Sequence, residues 1–246
     1  MGFFSRLPLD AADEFPLFST AYFIGALVSI LILILCYIYF PKLKDKSYEK
    51  YIRYFLAVYL MITIFEINLY FYQNSLPWYA YIPEGLCGIS VVLSAYVLIT
   101  KNRTAFVILF FWGWGAFIAI FAPNINEGPN YYYFYQFYLR HLLIVIGAMY
   151  MMRVFDYKIY PKDYLTYVFI TLPLAMCSLA LGYIINADLY SNYLYMVKPV
   201  IEGTPLDWFY GIHPLFYTVI WILIAFVFAF LYGLPFYQKN LKSEIV

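Results

Sequence analysis

The sequence predicts an all-α, polytopic membrane protein with seven transmembrane helices, its N-terminus outside and its C-terminus in the cytoplasm. Three observations predict it. Hydrophobic residues make up 65% of the 246 and charged residues only 12%, where a soluble domain carries about 25% charged residues. The apolar residues run in stretches of about 20, the helical length that crosses a hydrocarbon core of about 30 Å. Finally, the 15 Lys and Arg are unevenly placed. Twelve fall in or beside alternate connections and the C-terminal tail, whereas Arg6 and Lys198 alone lie on the other side and Arg140 sits inside a helix. That asymmetry is the positive-inside signature, and it fixes the expected orientation.

Taken in order, residues 1–17 mix Phe3, Phe4, Leu7 and Leu9 with Asp10, Asp13 and Glu14, without the basic start and short apolar core of a cleaved signal. They read as an interfacial segment lying on the membrane. A seven-helix domain, 18–236, follows. The first helix is expected near 18–40 and ends where Pro41 opens the lysine-rich link 41–50. The second, near 51–72, stops at the polar run Gln73-Asn74-Ser75. The third and fourth, near 79–100 and 104–122, are separated by Lys101-Asn102-Arg103. The fifth and sixth, near 133–155 and 164–185, flank a short charged link, and the seventh, near 214–236, comes after a long outer connection. Residues 237–246 form a cytoplasmic tail. The 30 Tyr, 24 Phe and 5 Trp are spread along the chain, as interfacial belts and helix packing require.

Composition also narrows function. A net charge of +1 and the lack of a long basic run exclude a nucleic-acid partner. Membrane lipids are the expected partners, and the cell membrane the expected location. Cys36, Cys87 and Cys177 are odd in number and lack metal-ligand or C-x-x-C spacing, so neither a disulfide framework, a metal site nor a cofactor is expected. Cys36 and Cys177 read as core.

Intramembrane ionisable residues are site candidates because a charge inside hydrocarbon costs about 2.5–3.5 kcal/mol on insertion scales. Arg140 and His141 lie side by side in the fifth predicted helix. Counting about 1.5 Å per residue from each helix entrance puts them about 10–12 Å below the outer surface. Glu66, Glu84 and Cys87 reach a similar layer, and the outer connection supplies Asn192, Glu202, Asp207 and His213 as a possible lid. Cys87 could act as a nucleophile if a base such as His141 stands at the same depth; alternatively it is a small packing residue between Gly85 and Gly88. His141 could be a general base or a polar helix contact to Glu66 or Glu84. Arg140 suits a phosphate or carboxylate anchor, or a salt bridge to a glutamate. The Trp112-Gly113-Trp114-Gly115 run and Gly147-Ala148 read as close helix packing.

The segment Ile82-Pro83-Glu84-Gly85-Leu86-Cys87-Gly88-Ile89-Ser90 resembles the L-P-L-H-L-C signature of the YwaF-like bacterial membrane proteins, relatives of a eukaryotic transmembrane phospholipid acyltransferase. The resemblance extends through Phe111-Trp112-Gly113, His141-Leu142-Leu143-Ile144-Val145, Asn192-Tyr193-Leu194-Tyr195 and Gly211-Ile212-His213-Pro214. Gly85 and Tyr22 stand where the pattern has histidines. What the resemblance implies is an acyltransferase or lipid hydrolase acting on phospholipid acyl chains, with Cys87 as nucleophile, His141 as base and Asn192 beside them. Arg140, Asn192, Glu84, Glu66 and His213 are the expected substrate contacts. The alternatives are a non-catalytic membrane protein that binds or transports a lipid or small solute, and a structural subunit of an envelope complex.

Overall fold

The structure, a computed structural model, describes residues 3–4, 18–83, 85–123, 125, 127–185, 192–199 and 205–238. The described chain is almost wholly helical: α1 (Thr20–Tyr39), α2 (Glu49–Gln73), α3 (Leu86–Thr100), α4 (Arg103–Phe121), α5 (Tyr132–Val154), α6 (Pro161–Ile184), α7 (Pro205–Ile212) and α8 (Pro214–Gly233), with short 3-10 turns beside several of them. Six helical stretches are long and apolar enough to cross a membrane: Thr20–Leu43, Glu49–Gln73, Arg103–Phe121, Tyr132–Val154, Pro161–Ile184 and Pro214–Phe236. The protein is therefore a multi-pass, all-α membrane protein, as a cell-membrane location requires.

The third expected span is the one that differs. Its apolar helix covers only Leu86–Thr100, which at the helical rise reaches about 22 Å. The chain before it makes a 3-10 turn at Trp78–Tyr81 and then an extended step at Ile82 (φ −76°, ψ 127°). The cause is Pro83, whose ring pushes the preceding residue out of the helical region. The continuous helix expected from residue 79, along which the depth of Cys87 was counted, is thereby overturned: Cys87 is the second residue of α3. Glu84 lies outside the described residues, as do most of the expected interfacial segment and tail, and Glu202. The connection between α6 and α8 carries an unforeseen helix, α7, with Pro205 in its first turn, where a fixed φ suits the helix.

The chain divides into two compact units: Met1–Ile64 with Ser90–Tyr157, and Phe65–Ile89 with Lys158–Val246. In the first, α5 packs against α1 and α4. Phe106, Phe110, Phe111, Ile144, Tyr150 and Met151 are among its large, fully enclosed side chains. Gly147 permits the closest approach: a Cβ there would stand 2.1 Å from Ser94 Oγ, so α3 and α5 touch backbone to side chain. Gly25 of α1 likewise receives the Tyr138 ring, whose Cζ lies 2.6 Å from where a Cβ would be. In the second unit α6 and α8 pack together, α7 folds onto α8, and Ala175, Leu194 and Met196 form an apolar cluster with Leu86, Ile89 and Trp221 around it.

Candidate functional site

Cys87 belongs to the second unit, in the first turn of α3, and is half-buried. Its neighbours Leu86 and Ile89 pack on Leu194 and Met196, which ties the start of α3 to the segment 192–198. Gly85 has no side chain, and the point where its Cβ would stand is 3.0 Å from Tyr195 Oη and 3.9 Å from Cys87 N. Tyr195 thus brings a hydroxyl over the backbone immediately ahead of the thiol. Gly88 is equally constrained, since a Cβ there would meet Pro83 Cβ at 2.8 Å.

The 192–198 segment is held in an unusual shape. Leu194 and Tyr195 both adopt left-handed backbone conformations, with φ of 52° and 58°, a region that β-carbon sterics disfavour. Its polar groups are accounted for. Asn192, 3% exposed, donates from Nδ2 to Lys198 O at 2.8 Å and accepts at Oδ1 from the Val197 and Lys198 N–H groups at 3.0 and 3.3 Å. Helix α8 supplies the rest. Trp221 Nε1 donates to Leu194 O at 3.0 Å and Thr218 Oγ1 to Met196 O at 2.7 Å, while the Tyr217 hydroxyl donates to Tyr195 O. Tyr193 Oη reaches Tyr79 O at 2.8 Å. Asn192 is expected from sequence as a substrate contact; its amide is a brace for its own loop. His213 caps α8, its Nδ1 accepting from the Leu215 N–H at 3.2 Å, and is exposed. Glu66 is half-buried on the last part of α2, also in this unit.

His141 and Arg140 belong to the first unit. His141 is 5% exposed, stacked at 4.2 Å on Phe137 one turn earlier, with Nδ1 2.8 Å from Phe137 O. A carbonyl oxygen only accepts, so Nδ1 carries the proton, and in the neutral form of the ring the lone pair lies on Nε2. That is the tautomer a base requires. Arg140 is half-buried.

Sequence reasoning passed over Tyr195 as a chemical group, and Tyr217, Thr218 and Trp221 altogether. The only signal for Tyr195 was its place in the Asn192-Tyr193-Leu194-Tyr195 run. Cys177, read as core, is exposed on α6, as a lipid-facing position in a membrane helix can be. Among the described residues no group of three or more His, Cys, Asp or Glu is arranged to hold a metal ion.

These features define a multi-pass α-helical membrane protein with a cysteine at the head of a short helix. The chain matches the TMEM164 family over residues 17–232 and belongs to that family. This corrects the YwaF-like resemblance drawn from the short motifs, which the match does not support. It also removes the ground on which acyl transfer and lipid metabolism were attached through that resemblance, because neither the family description nor the relative below states an activity. A protein of Treponema pallidum (strain Nichols), described as uncharacterized, is 30% identical over 66 residues, or 27% of this chain and 28% of that protein. The chain thus spans under a third of that relative's length. No solved structure matches the chain.

Proposed function

We propose that the protein is a membrane-embedded thiol enzyme that moves or hydrolyses an acyl group of a membrane lipid, with Cys87 as nucleophile. The observation that carries the reading is the placement of Cys87 in the first turn of α3, beside the backbone over which Tyr195 Oη is held. The N-terminal end of a helix favours negative charge through its unpaired N–H groups and dipole, and so favours the thiolate, the attacking form of cysteine. Attack of sulfur on an ester carbonyl forms a tetrahedral oxyanion. Expulsion of the alcohol, which takes up the thiol proton, leaves an acyl-thioester that water or a second alcohol resolves. His141 is assigned as the base, since its Nε2 is the lone-pair nitrogen. In this reading α3 is the seventh crossing, and the cation asymmetry sets the N-terminus outside and the C-terminus in the cytoplasm. Arg140, Glu66, Glu84 and His213 are assigned to substrate contact.

The test is acyl capture in lipid vesicles. Intact-protein mass spectrometry after incubation with phospholipid is expected to show an acyl adduct that maps to Cys87, is lost in Cys87→Ala and survives in Cys177→Ala. His141→Ala is expected to reduce turnover at least 100-fold, the usual scale for a positioned base. Full turnover by Cys87→Ala would refute the assignment. A non-catalytic, lipid- or solute-holding protein is the second reading, and the use of the Asn192 amide to brace its own loop favours it. Ligand-dependent thermal stabilisation without turnover would decide for it.

A further inference from the structure

One end of the first unit concentrates positive charge. Residues 40–53, 98–103 and 150–157 bring together eight Lys or Arg and three carboxylates. Contacts place the three segments at the same end. Arg53 Nη1 donates to Leu98 O and Ile99 O, Tyr150 Oη donates to Glu49 Oε1 at 2.9 Å, and Lys44 pairs with Asp156.

Arginines and lysines are used differently here. Arg53, 4% exposed, satisfies the last carbonyls of α3 and pairs with Glu49 at 2.9 Å. Arg153 donates from Nε to Tyr37 O near the end of α1, at 3.3 Å. Both guanidiniums therefore serve helix C-termini, where cations are favoured. Lys42, Lys46 and Lys50 are exposed and Lys101 is half-buried. Lys42 lies 4.3 Å over the Tyr39 ring, Lys50 5.1 Å over Tyr51 and Lys101 4.2 Å over Phe155. Among the described residues no ion pair joins any of these four to a carboxylate: Glu49 pairs with Arg53, Asp156 with Lys44, and Asp45 stands exposed in the turn beside Lys46. The surrounding rings Tyr37, Tyr39, Tyr48 and Tyr51 are all more than half exposed, the amphipathic belt of a membrane interface. Four lysines outside any ion pair with a carboxylate, set in that belt, match a layer of phosphate charge in sign.

We propose that this end is a docking surface for anionic phospholipid headgroups, selected over zwitterionic ones through Lys42, Lys46, Lys50 and Lys101. Each lysine near an anionic surface contributes roughly a fivefold factor, so four give a selectivity well beyond tenfold at low salt. The surface is independent of Cys87, and its test needs no turnover.

The full chain is placed in nanodiscs made from equal parts phosphatidylcholine and phosphatidylglycerol, and the lipid retained is counted by native mass spectrometry. Wild type is expected to retain phosphatidylglycerol at least tenfold over phosphatidylcholine, with the preference falling as potassium chloride is raised. The variant K42Q/K46Q/K50Q/K101Q is expected to lose it, and the all-arginine variant at the same positions to keep it. Equal retention of the two lipids by wild type, or an unchanged preference in the glutamine variant, overturns the proposal. Should the glutamine variant fail to fold, the salt titration of wild type decides: a preference insensitive to salt refutes the surface. Displacement of the retained lipid by inorganic phosphate at equal bulk concentration would make the ligand a small phosphate anion and also overturn it.

Discussion

Gly147→Ala offers the sharpest test of helix packing in the first unit. The added Cβ would stand 2.1 Å from Ser94 Oγ, 3.3 Å from Ser94 Cβ and 3.5 Å from Leu109 Cδ2. Only the first contact is impossible. Ser94 is fully buried, so turning its hydroxyl aside gives up the long 3.5 Å contact to Leu143 O and leaves a buried donor unsatisfied, at about 1–3 kcal/mol. Alanine's better helix propensity returns about 1 kcal/mol, so the single mutant should lose up to about 2 kcal/mol. Ser94→Ala alone removes a contact too long to be strong and should be near neutral. In the double mutant the nearest atoms are at or near ordinary contact distance, and stability should return to wild type or above. The coupling, about 1–3 kcal/mol, corresponds to a Tm difference of about 2–12 °C for a chain of this size. Tryptophan fluorescence during thermal unfolding in detergent reads it. A double mutant no more stable than Gly147→Ala would refute the close approach of α3 and α5.

Two buried tyrosines should behave oppositely. Tyr150→Phe removes the donor to Glu49 Oε1 and should cost about 1–3 kcal/mol, whereas the Tyr138 hydroxyl has no hydrogen-bond partner among the described residues, so Tyr138→Phe should leave Tm unchanged or raise it; the same melting assay compares them. Asn192→Asp keeps the acceptor for Val197 and Lys198 but loses the donor to Lys198 O, so it should loosen the 192–198 segment. Faster amide exchange of residues 193–197 measures this, and unchanged exchange would contradict the brace.

The class of fold was legible because apolar length and composition are local properties that hydrocarbon demands of any spanning helix. Six expected spans correspond to long apolar helices for that reason. The third does not, although its signal was present: Pro83 and Gly85 are helix-interrupting residues, and the apolar count ran across them. The expected layer of polar side chains was counted along that uninterrupted helix, which Pro83 breaks before Cys87. Family membership was misassigned from motifs of a few residues. Short spacings recur among aromatic-rich membrane helices, whereas the match over residues 17–232 draws on the whole pattern.

By itself, then, the sequence determined that the chain is helical, multi-pass and membrane-embedded, and it singled out Cys87, His141 and Asn192 as residues to examine. Only the tertiary structure decided what each does with its polar atoms. Asn192 turns inward to tie its own loop, His141 donates to Phe137 and keeps Nε2 as acceptor, and Tyr195 is carried to the head of α3 by α8 side chains more than 20 residues further along the chain. The reason is physical. Burial in hydrocarbon is set residue by residue along the chain, but a hydrogen bond needs a partner within about 3 Å, and which partner comes within reach is fixed only when distant helices pack.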